Sequence, residues 1–156
     1  MTYSMQLETP IGPLTVTATK KAVTAIRFGT KVPEGSARCT AAEATPLLRK
    51  AAEEIGEYFA GSRRKFTLPL APEGTPFQQK VWKALRTIPY GETRTYKQIA
   101  IQIGHNQSFR AVGMANNRNP IVIVVPCHRV IGYDGKLTGY AGGLDVKEQL
   151  LALEKR

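Results

Sequence analysis

Residues 95–116 read TYKQIAIQIGHNQSFRAVGMAN, and this stretch decides the fold of the C-terminal half. Thr95, with Gln98 three residues later, is a capping box that predicts the start of a short helix. After a glycine-containing turn, Ser108 is placed to cap a second helix that runs to about Asn116. Two short helices across such a turn predict a helix-turn-helix.

One further helix is predicted before this motif. Thr75 and Pro76 supply an N-cap followed by proline at the first helical position. Apolar residues then recur at helical spacing until Pro89, where a helix must stop. The apolar positions are Phe77, Val81, Trp82, Leu85 and Ile88. On this periodicity we expect Trp82 in the core and not as a platform on which a base stacks.

Residues 1–70 predict a small antiparallel sheet and one helix. Alternating apolar residues bounded by turn signals favour three strands. The strands are expected over residues 3–7, 14–19 and 23–28. Residues 29–43 look like a loop, and Thr45-Pro46 then caps an amphipathic helix that continues to Gly61.

The boundary between two domains is expected near residue 70. Residues 68–74 contain two prolines and no clear helical or strand period, which is typical of a linker. We therefore predict an α/β domain over residues 1–70 and a second domain over residues 71–156. A chain of 156 residues is long enough for one large domain or for two small ones.

The net charge is +10, and most of it lies in the second domain. Residues 75–156 carry 12 Lys and Arg against 5 Asp and Glu, whereas residues 1–74 carry 10 against 7. A basic excess favours a polyanionic partner, because contacts to phosphates release bound counterions. A solvated basic surface is the alternative, since charge alone does not identify a partner.

Cysteine and histidine usage limits metal and redox chemistry. Cys39 and Cys127 provide no disulfide framework, which fits a reducing compartment. The sequence has two cysteines and two histidines, and Cys127 and His128 are adjacent, so a four-ligand zinc site is not predicted. We expect no metal or other cofactor. The start of the chain lacks the regions of a secretion signal, and no apolar run approaches about 20 residues. We therefore expect a cytoplasmic protein.

Beyond the helix-turn-helix, the apolar run of residues 121–125 leads into Pro126-Cys127-His128-Arg129-Val130. Cys127 is a candidate nucleophile, because a neighbouring histidine can lower the pKa of a thiol. The alternative is a small buried hydrophobic residue, as most cysteines in soluble chains are. Adjacent residues on an extended strand point to opposite faces, so His128 needs a turn at Cys127, or a bridging water, to reach the sulfur.

PCHRV closely resembles the active-site signature of the O6-alkylguanine-DNA alkyltransferases, also called methylated-DNA–protein-cysteine methyltransferases. Asn119-Pro120 before it and GYAGG at residues 139–143 after it extend the resemblance, which runs from about Thr75 to Glu154. It implies an RNase H-like α/β N-terminal domain, with a small antiparallel sheet plus helix, and a mainly α C-terminal domain with a winged helix-turn-helix. It also implies DNA repair by irreversible transfer of one alkyl group per molecule from O6-alkylguanine, with O4-alkylthymine as a further candidate substrate.

The resemblance assigns chemistry to individual residues. Cys127 would attack the alkyl carbon directly, so no tetrahedral intermediate forms. His128 would take the thiol proton through a water, and Glu154 would orient His128. Tyr96 would offer its hydroxyl to the departing guanine, whose charge grows as the carbon–oxygen bond breaks.

Further residues match the family's base pocket and its support. The pocket is expected from Val130, Tyr140, Ala141 and Gly142. Asn119 resembles an asparagine that braces the helix-turn-helix against the cysteine segment. Arg129 is expected to tie that segment to neighbouring backbone or acidic groups.

The second helix of the motif matches the helix that alkyltransferases lay in the minor groove of double-stranded DNA. Contacts to DNA are expected from Ser108, Phe109, Arg110, Ala111, Gly113 and Met114. Arg110 matches an arginine that fills the gap left by a flipped nucleotide, and flipping is needed because O6 lies inside the base stack. Gly113 indicates close approach of DNA or of another helix, since mid-helix glycine is destabilising. Phe109 departs from the family, where a smaller Ala or Val is expected.

We expect the protein to act on DNA as a monomer.

Three other functions stay open from the sequence. A non-enzymatic helix-turn-helix DNA-binding protein would not need Cys127. A Cys-His hydrolase would need a distant histidine, for which the sequence offers only His105. A purely structural domain would not need this order of motifs.

Overall fold

The computed structural model describes residues 1–104, 109–137, 139–140 and 142–155. The chain forms two compact units, Met1–Pro72 and Glu73–Arg156. None of the helices within the described ranges is long and apolar enough to cross a membrane.

The N-terminal unit is a four-stranded sheet with one helix packed on it. The strands are β1 (Tyr3–Thr9), β2 (Gly12–Ala18), β3 (Val23–Phe28) and β4 (Ala37–Cys39), and the helix is α1 (Pro46–Phe59). The strand order is β3-β2-β1-β4. The Thr45 hydroxyl accepts a hydrogen bond from the Leu48 N–H at 3.2 Å, which gives the predicted N-cap of α1. Helix α1 contacts β1 and β2.

Strand β4 adds a parallel edge that the sequence did not indicate. It pairs parallel to β1 and lies within the predicted loop over residues 29–43. Three residues are too few to show an alternating pattern. The pairing depends on contacts distant in sequence: the Ala37 N–H donates to the Thr2 carbonyl at 3.0 Å, and the Ser36 and Ser4 hydroxyls hydrogen-bond at 2.7 Å.

Residues 68–71 belong to the N-terminal unit and are not a free linker. The Val23 N–H donates to the Pro69 carbonyl, and the Ala71 N–H donates to the Val23 carbonyl, both at 2.8 Å. Leu68 is buried. The partner strand lies far away in sequence, so local composition could not indicate this pairing.

The C-terminal unit is mainly helical. Its elements are α2 (Pro76–Leu85), β5 (Arg94–Thr95), α3 (Tyr96–Gln102), α4 (Phe109–Asn117), β6 (Val130–Ile131) and α5 (Leu144–Glu154). Helix α2 packs against both α3 and α4, and β5 pairs with β6. Thr95 and Gln98 form the predicted capping box at the start of α3. Trp82 is in the core as predicted, and its Nε1–H donates to the Ala115 carbonyl at 2.8 Å, which ties α2 to α4.

The apolar run of residues 121–125 forms a compact turn and not an extended strand. Ile123 has a φ of 72°, a left-handed conformation that is strained for a β-branched residue. Asn119 closes the turn from inside. Its Nδ2–H donates to the Val125 carbonyl at 2.7 Å, and its Oδ1 accepts from the Ile121 N–H at 3.0 Å. Asn119 therefore fixes the path of the chain into Pro126.

Candidate active site

A single 3₁₀ turn, Cys127–Arg129, follows Pro126 and is called the Cys127 turn below. The Arg129 N–H donates to the Pro126 carbonyl at 3.0 Å. All three residues of the turn are buried. Successive side chains in such a turn are about 120° apart and do not alternate as in a strand. His128 is therefore not held on the face opposite Cys127.

Glu154, at the end of α5, binds two side chains of the Cys127 turn. His128 Nε2 lies 2.7 Å from Glu154 Oε2, and Arg129 donates to the two carboxylate oxygens at 2.8 and 3.0 Å. Arg129 also donates to the Ile88 carbonyl at 2.8 Å. The Gly91 N–H donates to Glu154 Oε1 at 3.3 Å. Glu154 thus lies at the centre of a buried network of charged and neutral donors.

The ionisation of Glu154 decides which nitrogen of His128 carries the proton. Burial alone would raise the pKa of Glu154, but the hydrogen bonds from His128 and Arg129 hold it well below its usual range. An ionised carboxylate only accepts hydrogen bonds, so His128 Nε2 carries the proton. Burial lowers the pKa of His128 despite the hydrogen bond to Glu154, so the ring is neutral near pH 7. Nδ1 is then a base, and it has no hydrogen-bond partner within the described ranges.

The Cys127 thiol is buried beside polar groups that stabilise its ionised form. Burial raises the pKa of Cys127. Hydrogen bonds from the Asn119 and Tyr140 side chains and the positive charge of Lys147 oppose that rise without cancelling it. The resting thiol is therefore protonated, and it needs a base before it can act as a nucleophile.

Lys147 is a member of this site that the sequence analysis missed. Its side chain is 0% exposed, and its Nζ donates to the Val130 carbonyl at 2.5 Å. Burial lowers the pKa of Lys147 to about 8, and the negative charge that Cys127 carries when it is ionised works against that change. A signal was present, because Lys147 stands three residues before Leu150 and seven before Glu154, on the buried face of α5.

Tyr96 lies at the start of α3, next to α4. A Cβ built on Gly113 would lie 3.8 Å from the Tyr96 ring, which is an ordinary contact distance. Gly113 therefore lies beside Tyr96, but the described protein leaves room for a methyl group there. Packing of α4 on its neighbours does not require glycine at this position.

The exposed face of α4 carries most of the predicted DNA-contacting residues. Phe109, Arg110 and Met114 are exposed, and Ala111 and Gly113 are half-buried. The opposite face is buried through Val112, Ala115 and Asn116. Ser108 lies outside the described residues.

The predicted pocket residues all follow the Cys127 turn in sequence. Val130 is buried, and its carbonyl is engaged by Lys147. Tyr140 is half-buried with its side chain against Cys127. Gly142 lies in the turn before α5, and Ala141 is outside the described residues.

A metal centre, or the hydrolase alternative, would need further side chains brought together by the fold. Within residues 1–104, 109–137, 139–140 and 142–155, no three His, Cys, Asp or Glu side chains are grouped so that they could hold a metal. His105, which the hydrolase alternative requires, is outside those ranges.

Sequence comparison relates both units to one group of proteins. The family described as 6-O-methylguanine DNA methyltransferase, DNA binding domain, matches residues 76–156, and its ribonuclease-like domain matches residues 2–72. The chain is 55% identical to a methylated-DNA–protein-cysteine methyltransferase of Methanosarcina barkeri, covering 96% of this chain and 94% of the relative. It is 45% identical to the constitutive enzyme of that name from Bacillus subtilis, covering 99% and 96%.

Solved structures give the same result. The crystal structure of Mycobacterium tuberculosis O6-methylguanine methyltransferase matches with a TM-score of 0.90 and 46% identity, covering 99% of this chain and 93% of that one. The structure of Mycobacterium tuberculosis OGT in complex with DNA also matches with a TM-score of 0.90 and 46% identity, covering 98% and 92%.

Proposed function

The chain belongs to the methylated-DNA–protein-cysteine methyltransferase family, and we propose that Cys127 is the residue that accepts the alkyl group. The protein repairs DNA by alkyl transfer, and DNA is its partner. One observation carries the assignment: Cys127 shares a turn with His128, whose ring is held by the Glu154 carboxylate. The other cysteine, Cys39, lies in β4, where its thiol donates to the Ala37 carbonyl of the same strand.

The proposed reaction is a direct displacement at the alkyl carbon. His128 Nδ1 takes the thiol proton through a water, and the Cys127 sulfur forms a bond to the carbon. The bond from that carbon to guanine O6 breaks, and its electron pair stays on the base. The Tyr96 hydroxyl donates to the leaving guanine as its charge grows. The thioether has no easy hydrolytic exit, so each molecule acts once.

Glu154 and Lys147 have different proposed roles in this step. Glu154 orients His128 and stabilises the imidazolium that forms, in the logic of a base held by an orienting carboxylate. Lys147 brings a buried positive charge close to the sulfur, which favours the thiolate. Its hydrogen bond to the Val130 carbonyl also fixes backbone that follows the Cys127 turn.

The rate of alkyl transfer should increase with pH as Cys127 ionises, and Lys147→Met should shift this increase to higher pH. The positive charge of Lys147 opposes the effect of burial on Cys127, so its removal raises the pKa of the thiol further. Each unit of that rise lowers the thiolate fraction at neutral pH about tenfold. Single-turnover rates across pH measure the shift. Lys83→Met, which removes an exposed lysine on α2, is the matched control. Superimposable profiles for wild type and Lys147→Met would remove Lys147 from the mechanism.

The proposed DNA interface is the exposed face of α4 in the minor groove, with the protein acting as a monomer. Three features support it. The C-terminal unit is basic, Arg110 is exposed, and contacts within the described protein do not explain why residue 113 is glycine. Guanine O6 cannot meet a buried thiol inside the duplex, so the nucleotide must be extruded into the pocket. In this proposal Arg110 takes the place that the nucleotide vacates.

Arg110→Ala should slow repair of duplex DNA by about tenfold at saturating protein, because the flipped state loses the side chain that fills its gap. Free O6-benzylguanine needs no flipping and should react with the variant almost as with wild type. Single-turnover rates on both substrates test this contrast.

Arg118→Ala is the control for loss of positive charge, since Arg118 is exposed just after α4. It should weaken binding to all DNA and leave the saturated rate unchanged. Equal losses on duplex and free base for Arg110→Ala would assign Arg110 to folding and not to flipping.

A further inference from the structure

Most of the large apolar side chains that are exposed belong to the C-terminal unit. Apart from Met1, those found in the described ranges are Ile101, Phe109, Met114, Tyr133 and Leu144. Phe109 is 42% exposed and Met114 is 58% exposed, both on α4. At about 100° per residue, they flank Arg110 on the helix surface. Exposed apolar residues grouped in this way mark a surface that another molecule covers.

Contact with phosphates does not explain Phe109. A phenyl ring has no donor to offer a phosphate oxygen, and the net charge of +10 already supplies cations for that purpose. Base pairs, in contrast, have apolar faces. Proteins that bind the minor groove insert apolar side chains between base steps and partly unstack them. The bases themselves are therefore the part of DNA that suits this side chain.

Phe109 stands on the edge of α4 that leads to Tyr96. It precedes Gly113 by four residues, so the two positions are neighbours on one face of the helix. A Cβ built on Gly113 would lie 3.8 Å from the Tyr96 ring, so this face of α4 lies beside α3. Arg110 lies about 100° further round the helix axis. Arg110 precedes Gly113 by three residues, so Gly113 lies between Phe109 and Arg110 on the helix surface, and both side chains border the face beside Tyr96.

We propose that Phe109 is an apolar wedge that inserts between the bases beside the target nucleotide. The inference rests on the proposed flipping of that nucleotide by α4. Arg110 fills the gap in the stack, and Phe109 covers the base face that is exposed next to it. The two residues stabilise the flipped state by different chemistry, one as a charged group in the gap and the other as an apolar surface.

The test compares a paired lesion with one that is already unstacked. Single-turnover rates at saturating protein are measured on a duplex with O6-methylguanine opposite cytosine, and on the same duplex with an unpaired bubble at the lesion. Phe109→Ala should slow repair of the paired duplex by about tenfold, the range expected for loss of one base–aromatic contact. On the bubble the rate should change little, because the unstacking is already complete.

Two further variants separate a wedge from a general contact. Phe109→Leu keeps an apolar side chain and should restore most of the rate on the paired duplex. Met114→Ala removes a matched exposed apolar side chain from the same helix and should affect both substrates alike. A 2-aminopurine base next to the lesion should brighten on binding wild type, as it unstacks, and should brighten less with Phe109→Ala.

An unchanged rate for Phe109→Ala on the paired duplex, or equal losses on duplex and bubble, would overturn the wedge. Failure to restore the rate with Phe109→Leu, in a protein whose unfolding curve matches wild type, would also overturn it. These outcomes leave alkyl transfer by wild type intact. Failure of the proposed function would appear differently, as no alkylation of Cys127 by wild type on either substrate.

Discussion

Cys127→Ser should transfer no alkyl group from O6-methylguanine DNA, however long the incubation. A serine hydroxyl is a far weaker acid than a thiol, and the neutral His128 ring cannot ionise it to a useful extent. Binding to DNA should stay at the wild-type level, because affinity depends mainly on contacts to phosphates. Transfer from a labelled oligonucleotide and binding to an undamaged duplex measure the two properties separately.

Cys39→Ser is the matched control, since Cys39 lies in β4 of the N-terminal unit. It should transfer the alkyl group at the wild-type rate. Stoichiometric transfer by Cys127→Ser that maps to a different residue would show that Cys127 is not the acceptor.

Glu154→Gln should destabilise the protein by about 3–5 kcal/mol as well as slow transfer. The carboxylate accepts from His128 and from two nitrogens of Arg129, all in the buried interior. The neutral amide of glutamine leaves the buried Arg129 guanidinium without its counter-charge. The amide also cannot stabilise the His128 imidazolium as the carboxylate does. Urea unfolding measures the first effect, and single-turnover rates under conditions where the variant is folded measure the second.

The pH dependence of stability provides an independent check on Glu154. Hydrogen bonds from His128 and Arg129 hold its folded-state pKa below the ordinary value of 4.5, against the effect of burial. The carboxylate therefore stabilises the folded state above pH 4.5, and this contribution is lost as the pH falls below that value. Wild type should lose stability in acid more steeply than Glu154→Gln. Equal slopes and equal stability at pH 7 would mean that Glu154 is not the centre of the network.

Local signals predicted the helix starts well. Thr45, Thr75 and Thr95 each cap a helix, because a capping hydroxyl and the N–H that it satisfies lie only three residues apart. Strand β4 and the pairing of residues 68–71 with β3 could not be predicted in this way. Both depend on backbone partners far away in sequence, and neither segment carries a pattern of its own.

The site residues also differ in whether a local sequence signal could identify them. Cys127 and His128 attract notice because they are adjacent, but the partnership of Glu154 with His128 and Arg129 spans 26 and 25 residues. Only the family resemblance singled out Glu154 in the sequence. Lys147 was missed because a lysine on a helix is usually a surface residue, and burial beside Cys127 is a property of the folded unit. The left-handed turn at Ile123 is closed by local hydrogen bonds from Asn119, but a β-branched residue rarely adopts this conformation, so the apolar run did not predict it.

Transfer to Cys127 can be tested by the intact mass of the protein after incubation with an excess of an O6-methylguanine oligonucleotide, followed by peptide mapping. The mass should increase by one methylene per molecule, and the modification should map to Cys127. The oligonucleotide consumed should equal the protein present and should not rise with time. An unchanged mass, modification of a residue other than Cys127, or consumption beyond one equivalent would contradict the mechanism.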